Sequence, residues 1–207
     1  MKQNYTHMIL ILDESGSMGN LQDATIEGIN SLVEKQKQDP GDFTSSLYKF
    51  NQHVTKVGTF SHLDRTTYNP MGTTSLFDAV CEAIDTEGKL LEEKPEAERP
   101  DKVVVVIVTD GHENSSRKNS LFQVQDRIDL QQKTYNWKFV FLGANIDAFT
   151  ASASYGIPAR TTMQWTPTYD GVKSMYSQVS STMTLYKAGG ALDFASQNTP
   201  NTNNTIS

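Results

Sequence analysis

The pattern Asp13-x-Ser15-x-Ser17 places one carboxylate and two hydroxyls at alternate positions. In an extended or looped segment, alternate side chains face the same way. Three oxygens would then converge on one point. A second aspartate, Asp110, follows a distant apolar run, and the stretch Asn69-Pro70-Met71-Gly72-Thr73-Thr74-Ser75 offers more hydroxyls. Oxygen-only ligands select a hard cation, Mg²⁺, Mn²⁺ or Ca²⁺, over zinc or copper. Two aspartates balance a divalent charge, and the hydroxyls add none. With one aspartate reaching the ion only through water, the ion stays electrophilic. It then has room for an anionic group from outside, such as a carboxylate on another protein.

Such residues need elements that bring them together. Three short apolar runs read as buried parallel strands: Met8 to Leu12, Lys102 to Thr109 and Trp137 to Leu142. A strand covered on both faces is apolar throughout rather than alternating. Each run ends in a polar or glycine turn: Asp13-Glu14-Ser15-Gly16, Asp110-Gly111 and Gly143-Ala144-Asn145. Helical spacing follows in Ile26, Ile29, Leu32 and Val33, in Leu76, Val80 and Ile84, and in Leu121, Val124 and Ile128. Phe43 to Phe50 and His53 to Phe60 are separated only by Asn51-Gln52, which predicts an antiparallel hairpin. Ala148 to Tyr155 reads as a short helix, Arg160 to Gln164 as a short strand, and Val172, Met175, Val179, Met183 and Tyr186 mark a last helix.

The order β-α-β-β-α-β-α-β-α-β-α predicts a three-layer α/β/α, Rossmann-like fold. Its six-stranded sheet is mostly parallel, with the hairpin strand as antiparallel edge, in the order 3-2-1-4-5-6. That order reverses between the first and fourth strands, and ligands bind beyond the carboxyl ends of strands at such a reversal. Asp13 and Asp110 are expected there.

Composition bounds the function. The 207 residues carry 18 Lys plus Arg and 24 Asp plus Glu, a net charge of −6, which argues against phosphate-backbone binding. A single cysteine, Cys81, excludes an intramolecular disulfide and a multi-cysteine zinc site and reads as core. The longest uninterrupted apolar run, Val103 to Val108, is far short of the ~20 residues of a membrane span. The opening residues lack the features of a secretory signal, so the expected location is the cytoplasm. One domain is expected over residues 1–187, with a core of about 5–165 and a docking helix over about 170–187. Residues 188–207, ending in a stretch rich in Asn, Thr, Pro and Ser, are expected to form a disordered tail.

Asp13-x-Ser15-x-Ser17, then Gly72-Thr73-Thr74 before a helix, then Thr109-Asp110-Gly111 after an apolar strand, resemble the von Willebrand factor A domain and its metal-ion-dependent adhesion site. The likeness covers roughly residues 5 to 165, with each motif on its expected element. It is greatest to small stand-alone A-domain proteins of bacteria and their phages. The resemblance implies that Asp13, Ser15 and Ser17 are metal ligands and that Asp110 binds directly or through water. It gives the threonine role to Thr74, with Thr73 as the fallback, and implies a divalent cation, Mg²⁺ first.

Neighbouring polar residues have plainer readings too. Asp13, Ser15 and Ser17 each suit a helix cap. Glu14 is out of phase with its neighbours and reads as solvated or at the rim. His112 and Glu113 read as a solvated loop or a rim that touches a partner. Asn145 and Asp147 end the next strand and are candidates for support of the site, with Asp147 equally suited to cap a helix.

Three functions follow. The first is a metal-dependent protein-binding module that grips a partner's acidic side chain, without nucleic acid or membrane. The second is a metal-dependent hydrolase or phosphotransferase. Against it, Gly16-Ser17-Met18-Gly19 is not a nucleophile elbow, no Walker loop or dinucleotide fingerprint follows the first strand, and no histidine is placed as a base. The third is a structural or regulatory subunit with an incidental metal. The expectation is a binding protein, not an enzyme.

Overall fold

The computed structural model describes residues 1–194. Its strands are β1 (Lys2–Asp13), β2 (Asp42–Phe50), β3 (Val54–Thr59), β4 (Pro100–Thr109), β5 (Lys138–Gly143) and β6 (Thr162–Gln164). Its helices are α1 (Gln22–Gln38), α2 (Leu76–Glu92), α3 (Leu121–Tyr135), α4 (Ala148–Ser154) and α5 (Tyr169–Lys187). The strands form one sheet in the order β3-β2-β1-β4-β5-β6. Only β2 and β3 pair antiparallel. This is the expected three-layer, Rossmann-like arrangement.

Alternation within the central strands builds two cores. Met8, Leu10 and Leu12 of β1, with Val104, Val106 and Val108 of β4, face α1 and α5. Ile9 and Ile11, with Val105 and Ile107, face α2, α3 and α4. Both faces are covered, so both sets of side chains are apolar, which is why the runs look continuous in the sequence. At ~25 cal/mol per Å² of apolar area removed from water, these two layers dominate the stability of the fold.

Three differences from expectation have a clear physical cause. β1 begins at Lys2, well before Met8. Its outer residues are polar, and pairing rather than apolarity makes them strand: Asp101 accepts the Tyr5 N–H at 2.9 Å, and His7 bonds Thr44 on β2 at 2.8 Å. β6 is shortened because Ala159–Thr161 forms a 3₁₀ turn. The tail expected from residue 188 is corrected for its first part, because Leu192 and Phe194 are buried in the core beside α5 and the Phe194 N–H donates to the Arg160 carbonyl at 2.9 Å. The rest of the expected tail, including Gln197–Ser207, lies outside the described residues.

α5 packs along α1 through Val172, Met175, Tyr176, Val179 and Met183. Gly28 permits the close approach: a Cβ there would lie 2.3 Å from a ring carbon of Tyr176. Among the described residues, no helix is long and apolar enough to cross a membrane.

Candidate metal centre

β1 and β4 are adjacent and parallel, with Leu12 opposite Val108. Each strand ends in an aspartate-bearing turn, so Asp13 and Asp110 come together at the reversal of the sheet order. The turn after β1 passes into a 3₁₀ segment, Gly16–Leu21. It folds Ser17 back over the sheet end, where its hydroxyl donates to Asp110 Oδ1 at 2.6 Å. The Ser15 and Ser17 hydroxyls lie 3.1 Å apart. The Ser15 N–H donates to Asp13 Oδ1 at 2.7 Å, and the Thr109 hydroxyl donates to Asp13 Oδ2 at 2.7 Å. Asp13, Ser15, Ser17 and Asp110 are thus linked by hydrogen bonds of ordinary length.

A third loop closes the site. The Gly16 N–H donates to the Gly72 carbonyl at 3.1 Å, and the Met71 N–H donates to the Glu14 carbonyl at 2.8 Å. Gly72 has a φ of +80°, a backbone conformation suited to glycine. Thr74 follows and is buried, whereas Thr73 is exposed. The Thr74 hydroxyl comes within 3.8 Å of where a Cβ on Gly111 would sit, beside Asp110. Its backbone is clamped by Asn114, whose side-chain oxygen accepts the Thr74 N–H at 2.9 Å. Of the two threonines, Thr74 is the one turned in towards the aspartates' loop.

The electrostatics are unusual for a buried site. Asp13 is 0% exposed and Asp110 3% exposed. Burial pushes the Asp13 carboxyl up to about 6, against hydrogen bonds from Ser15 and Thr109 that favour its charged form, and the nearby Asp110 charge adds to the rise. Burial raises Asp110 as well, opposed by the Ser17 hydroxyl. Among the described residues neither carboxylate has an ion-pair partner. Two adjoining buried carboxylates among hydroxyls, without a cation, form a donor set that fits a hard divalent ion. Among the described residues no cluster of three or more His, Cys, Asp or Glu forms a carboxylate-rich or zinc-type site.

The outer residues divide. Glu14 is not solvated: it is 7% exposed, pairs with Lys49 at 2.8 Å, and accepts the Asn69 N–H at 2.7 Å. Its carboxylate fixes the third loop from below. Glu113 is not a free rim residue either. It accepts the Phe77 N–H at the start of α2 at 2.9 Å and the Ser115 and Ser116 N–H groups at 2.8 and 2.7 Å. Asp147 caps α4 through the Thr150 N–H and hydroxyl, at 3.0 and 2.6 Å, which is its plainer reading. His112 and Asn145 are exposed. Asn145 adopts a left-handed φ of +55°.

Several positioning residues went unassigned in the sequence. Thr109 orients Asp13, Tyr68 donates to the Asp13 carbonyl at 2.8 Å, and Asn114 holds Thr74. Thr109 lies inside the Thr-Asp-Gly motif and was findable. Tyr68 and Asn114 sit in loops whose path no periodicity reveals.

Comparison with known proteins finds the same fold. No curated protein sequence matches. Proximal thread matrix protein 1 from the mussel byssus, in a form with a zinc-occupied MIDAS motif, superposes with a TM-score of 0.63 at 16% identity, covering 89% of this chain and 47% of that one. The chain therefore spans about half the length of the mussel protein. The manganese-loaded TRAP protein of Plasmodium vivax gives a TM-score of 0.56 at 20% identity, covering 84% and 73%. The vWF domain of the type V pili tip protein Mfa5 from Porphyromonas gingivalis gives 0.58 at 8% identity, covering 87% and 95%. These likenesses are of fold. The sequence model of the von Willebrand factor type A domain matches residues 7–152, most of the chain, and the chain belongs to that family.

Proposed function

We propose that this A domain is a metal-dependent protein-binding module rather than an enzyme. Asp13, Ser15, Ser17 and Thr74 would hold a divalent cation, Mg²⁺ first and Mn²⁺ or Ca²⁺ as alternatives, with Asp110 binding directly or through water. A bound cation would supply an open coordination position for an acidic side chain of a partner protein. The chain's own residues do the rest. Thr109 and the Ser15 N–H hold the Asp13 carboxylate in place, and Ser17 does so for Asp110. Glu14 and Lys49 brace the loop that carries Thr74.

The observation that carries this reading is the buried, uncompensated pair Asp13 and Asp110. An internal cation would have stabilised the fold more simply, since a buried charge without a partner is costly. Hydroxyls in place of further carboxylates keep the total negative charge low, which leaves an ion attractive to an outside anion. Zinc- and manganese-loaded proteins of the same fold support a divalent ion. A pilus tip protein among the similar structures supports a binding role.

Affinity capture from the native host lysate tests the proposal. The partner is expected on wild-type protein in Mg²⁺, and absent in EDTA or with Asp13→Ala. A specific partner retained equally in all three conditions sinks the metal-bridge idea.

A further inference from the structure

The loops around the site sort their charges. Glu113 is spent on the Phe77, Ser115 and Ser116 N–H groups. Asp78, in the first turn of α2, accepts the N–H groups of Arg117 at 2.9 Å, Lys118 at 3.1 Å and Asn119 at 2.8 Å. Glu14 is paired with Lys49. The acids of this region thus face internal donors.

The cations of the same loop do the opposite. Arg117 and Lys118 are exposed, and among the described residues neither has an ion-pair partner. His112, two positions after Asp110, is exposed as well. Their mounting is nonetheless fixed. Asp78 holds both backbone N–H groups, and the Asn114 and Ser115 N–H groups donate to the Thr74 carbonyl at 3.0 and 3.2 Å. Thr74 lies two residues before α2 and Asp78 in its first turn, so the loop 114–119 is tied to both ends of the same short segment. A pair of free cations is therefore held on a rigid base close to the metal-binding threonine, on a chain whose net charge is −6.

We propose that Arg117 and Lys118 form a second anchor for an acidic segment of the partner protein, which places one carboxylate at the metal site and a further carboxylate on this cation pair. The proposal rests on the metal-dependent reading above. Chemistry favours it: a guanidinium binds a carboxylate through two parallel hydrogen bonds, and charges at a binding rim set specificity and association rate. The partner is then a segment with two or more acids a few residues apart, not one with an isolated acid.

Two labelled synthetic peptides in a Gly-Ser background test this. One carries a single Glu, and the other carries that Glu plus two more within the next six positions. Fluorescence polarisation and NMR titration to millimolar concentration give affinities for wild type and for the double variant R117Q/K118Q. Both substitutions keep the backbone N–H groups that Asp78 holds, and an unchanged melting temperature checks the fold. In Mg²⁺ the multi-acid peptide is expected to bind wild type about three- to tenfold more tightly than the single-acid peptide. In R117Q/K118Q that gain disappears, and the single-acid affinity is unchanged. High salt shrinks the gain. The proposal is overturned by equal affinities on wild type, by a gain that survives R117Q/K118Q, or by no binding of either peptide. EDTA separates the two ideas: a gain that depends on Arg117 and Lys118 but ignores EDTA keeps the cation anchor and removes the metal bridge. A short oligothymidylate that outcompetes the multi-acid peptide through the same two residues overturns the acidic-protein partner in favour of phosphate.

Discussion

Two regions of this domain treat their buried carboxylates in opposite ways. Between the sheet and α2, Glu87 is 2% exposed yet fully served. The Tyr48 hydroxyl donates to it at 2.8 Å, His7 Nε2 lies 3.2 Å away, and Lys56 approaches to 3.9 Å. Burial pushes the Glu87 carboxyl up, but the His7 and Tyr48 hydrogen bonds, with the His7 and Lys56 charges, outweigh it and hold the group below its usual range. At the carboxyl end of the sheet, Asp13 and Asp110 are equally buried. They receive hydroxyls and one N–H but no cation, and burial wins. A carboxylate the fold needs is neutralised by the fold. On the proposed metal-binding reading, a carboxylate kept for a ligand is left uncompensated until the ligand arrives.

The largest effect that could break this contrast is at Glu87. Glu87→Ala removes the shared acceptor and leaves the Tyr48 hydroxyl and His7 without it. The expected loss is ~3–5 kcal/mol of unfolding free energy, the usual scale for breaking a buried charged pair. Denaturant melts should show the same loss in Mg²⁺ and in EDTA. A loss under ~1 kcal/mol, or one that tracks the metal, would mean that the two regions are not distinct.

The proposed metal site should behave in the reverse manner. With Mg²⁺ at 100 times its dissociation constant, linkage adds ~2.7 kcal/mol, which in a domain of this size raises the melting temperature by roughly 5–10 °C. Asp13→Asn is expected to abolish that increment, and in EDTA at pH 7.5 to melt no lower than wild type, because it removes a buried, unpaired charge. The pH dependence carries the same sign. The folded Asp13 value, about 6, lies above the ordinary ~3.9, so folding favours its protonated form. In metal-free protein, that contribution is complete below pH ~3.9 and is lost as pH rises through about 6. Glu87, held low, works in the other direction and loses its contribution as pH falls through its folded value. Protons also compete with the cation, so the Mg²⁺ increment should grow from pH 5 to pH 7.5. A melting increment that is flat with pH, or one retained in Asp13→Asn, would falsify the assignment of Asp13 as a metal ligand.

What could be read from the sequence follows the same divide. The sheet order and both aspartates were legible because the central strands are apolar on both faces and end abruptly in polar turns. Asp13-x-Ser15-x-Ser17 is a local pattern, and its residues meet through local geometry. Glu14 misled because period-two reasoning assigns a side to a residue but not a partner. Lys49, which makes Glu14 internal, lies on the neighbouring strand β2 and becomes relevant only once the strands are in register. Glu113 misled for a related reason: its donors are backbone N–H groups of α2 and of its own loop, which the sequence does not display. Leu192 and Phe194 are two large apolar residues in a short Gly- and Ala-rich stretch, too few to form a periodic signal yet enough to seat the chain against the core.

The finest distinction concerns two adjacent residues of one type. The family resemblance gives the third hydroxyl to Thr74, with Thr73 as the fallback. The fold separates them: Thr74 is 4% exposed, clamped by Asn114 and close to Gly111, whereas Thr73 is exposed and its N–H donates to Gln52 Oε1 at 3.4 Å. Valine replaces threonine at nearly constant volume and removes only the hydroxyl's chemistry. Thr74→Val should therefore weaken Mg²⁺ binding by about tenfold, or ~1.4 kcal/mol, as water replaces a protein oxygen. Thr73→Val should change it less than about twofold, since a solvated hydroxyl contributes little. Calorimetric titration with Mg²⁺ reads both. If the tenfold loss falls on Thr73 instead, the loop must turn by one residue when the ion binds. The pairing of Thr74 with Asn114 would then describe a resting state of the site and not its metal-bound geometry.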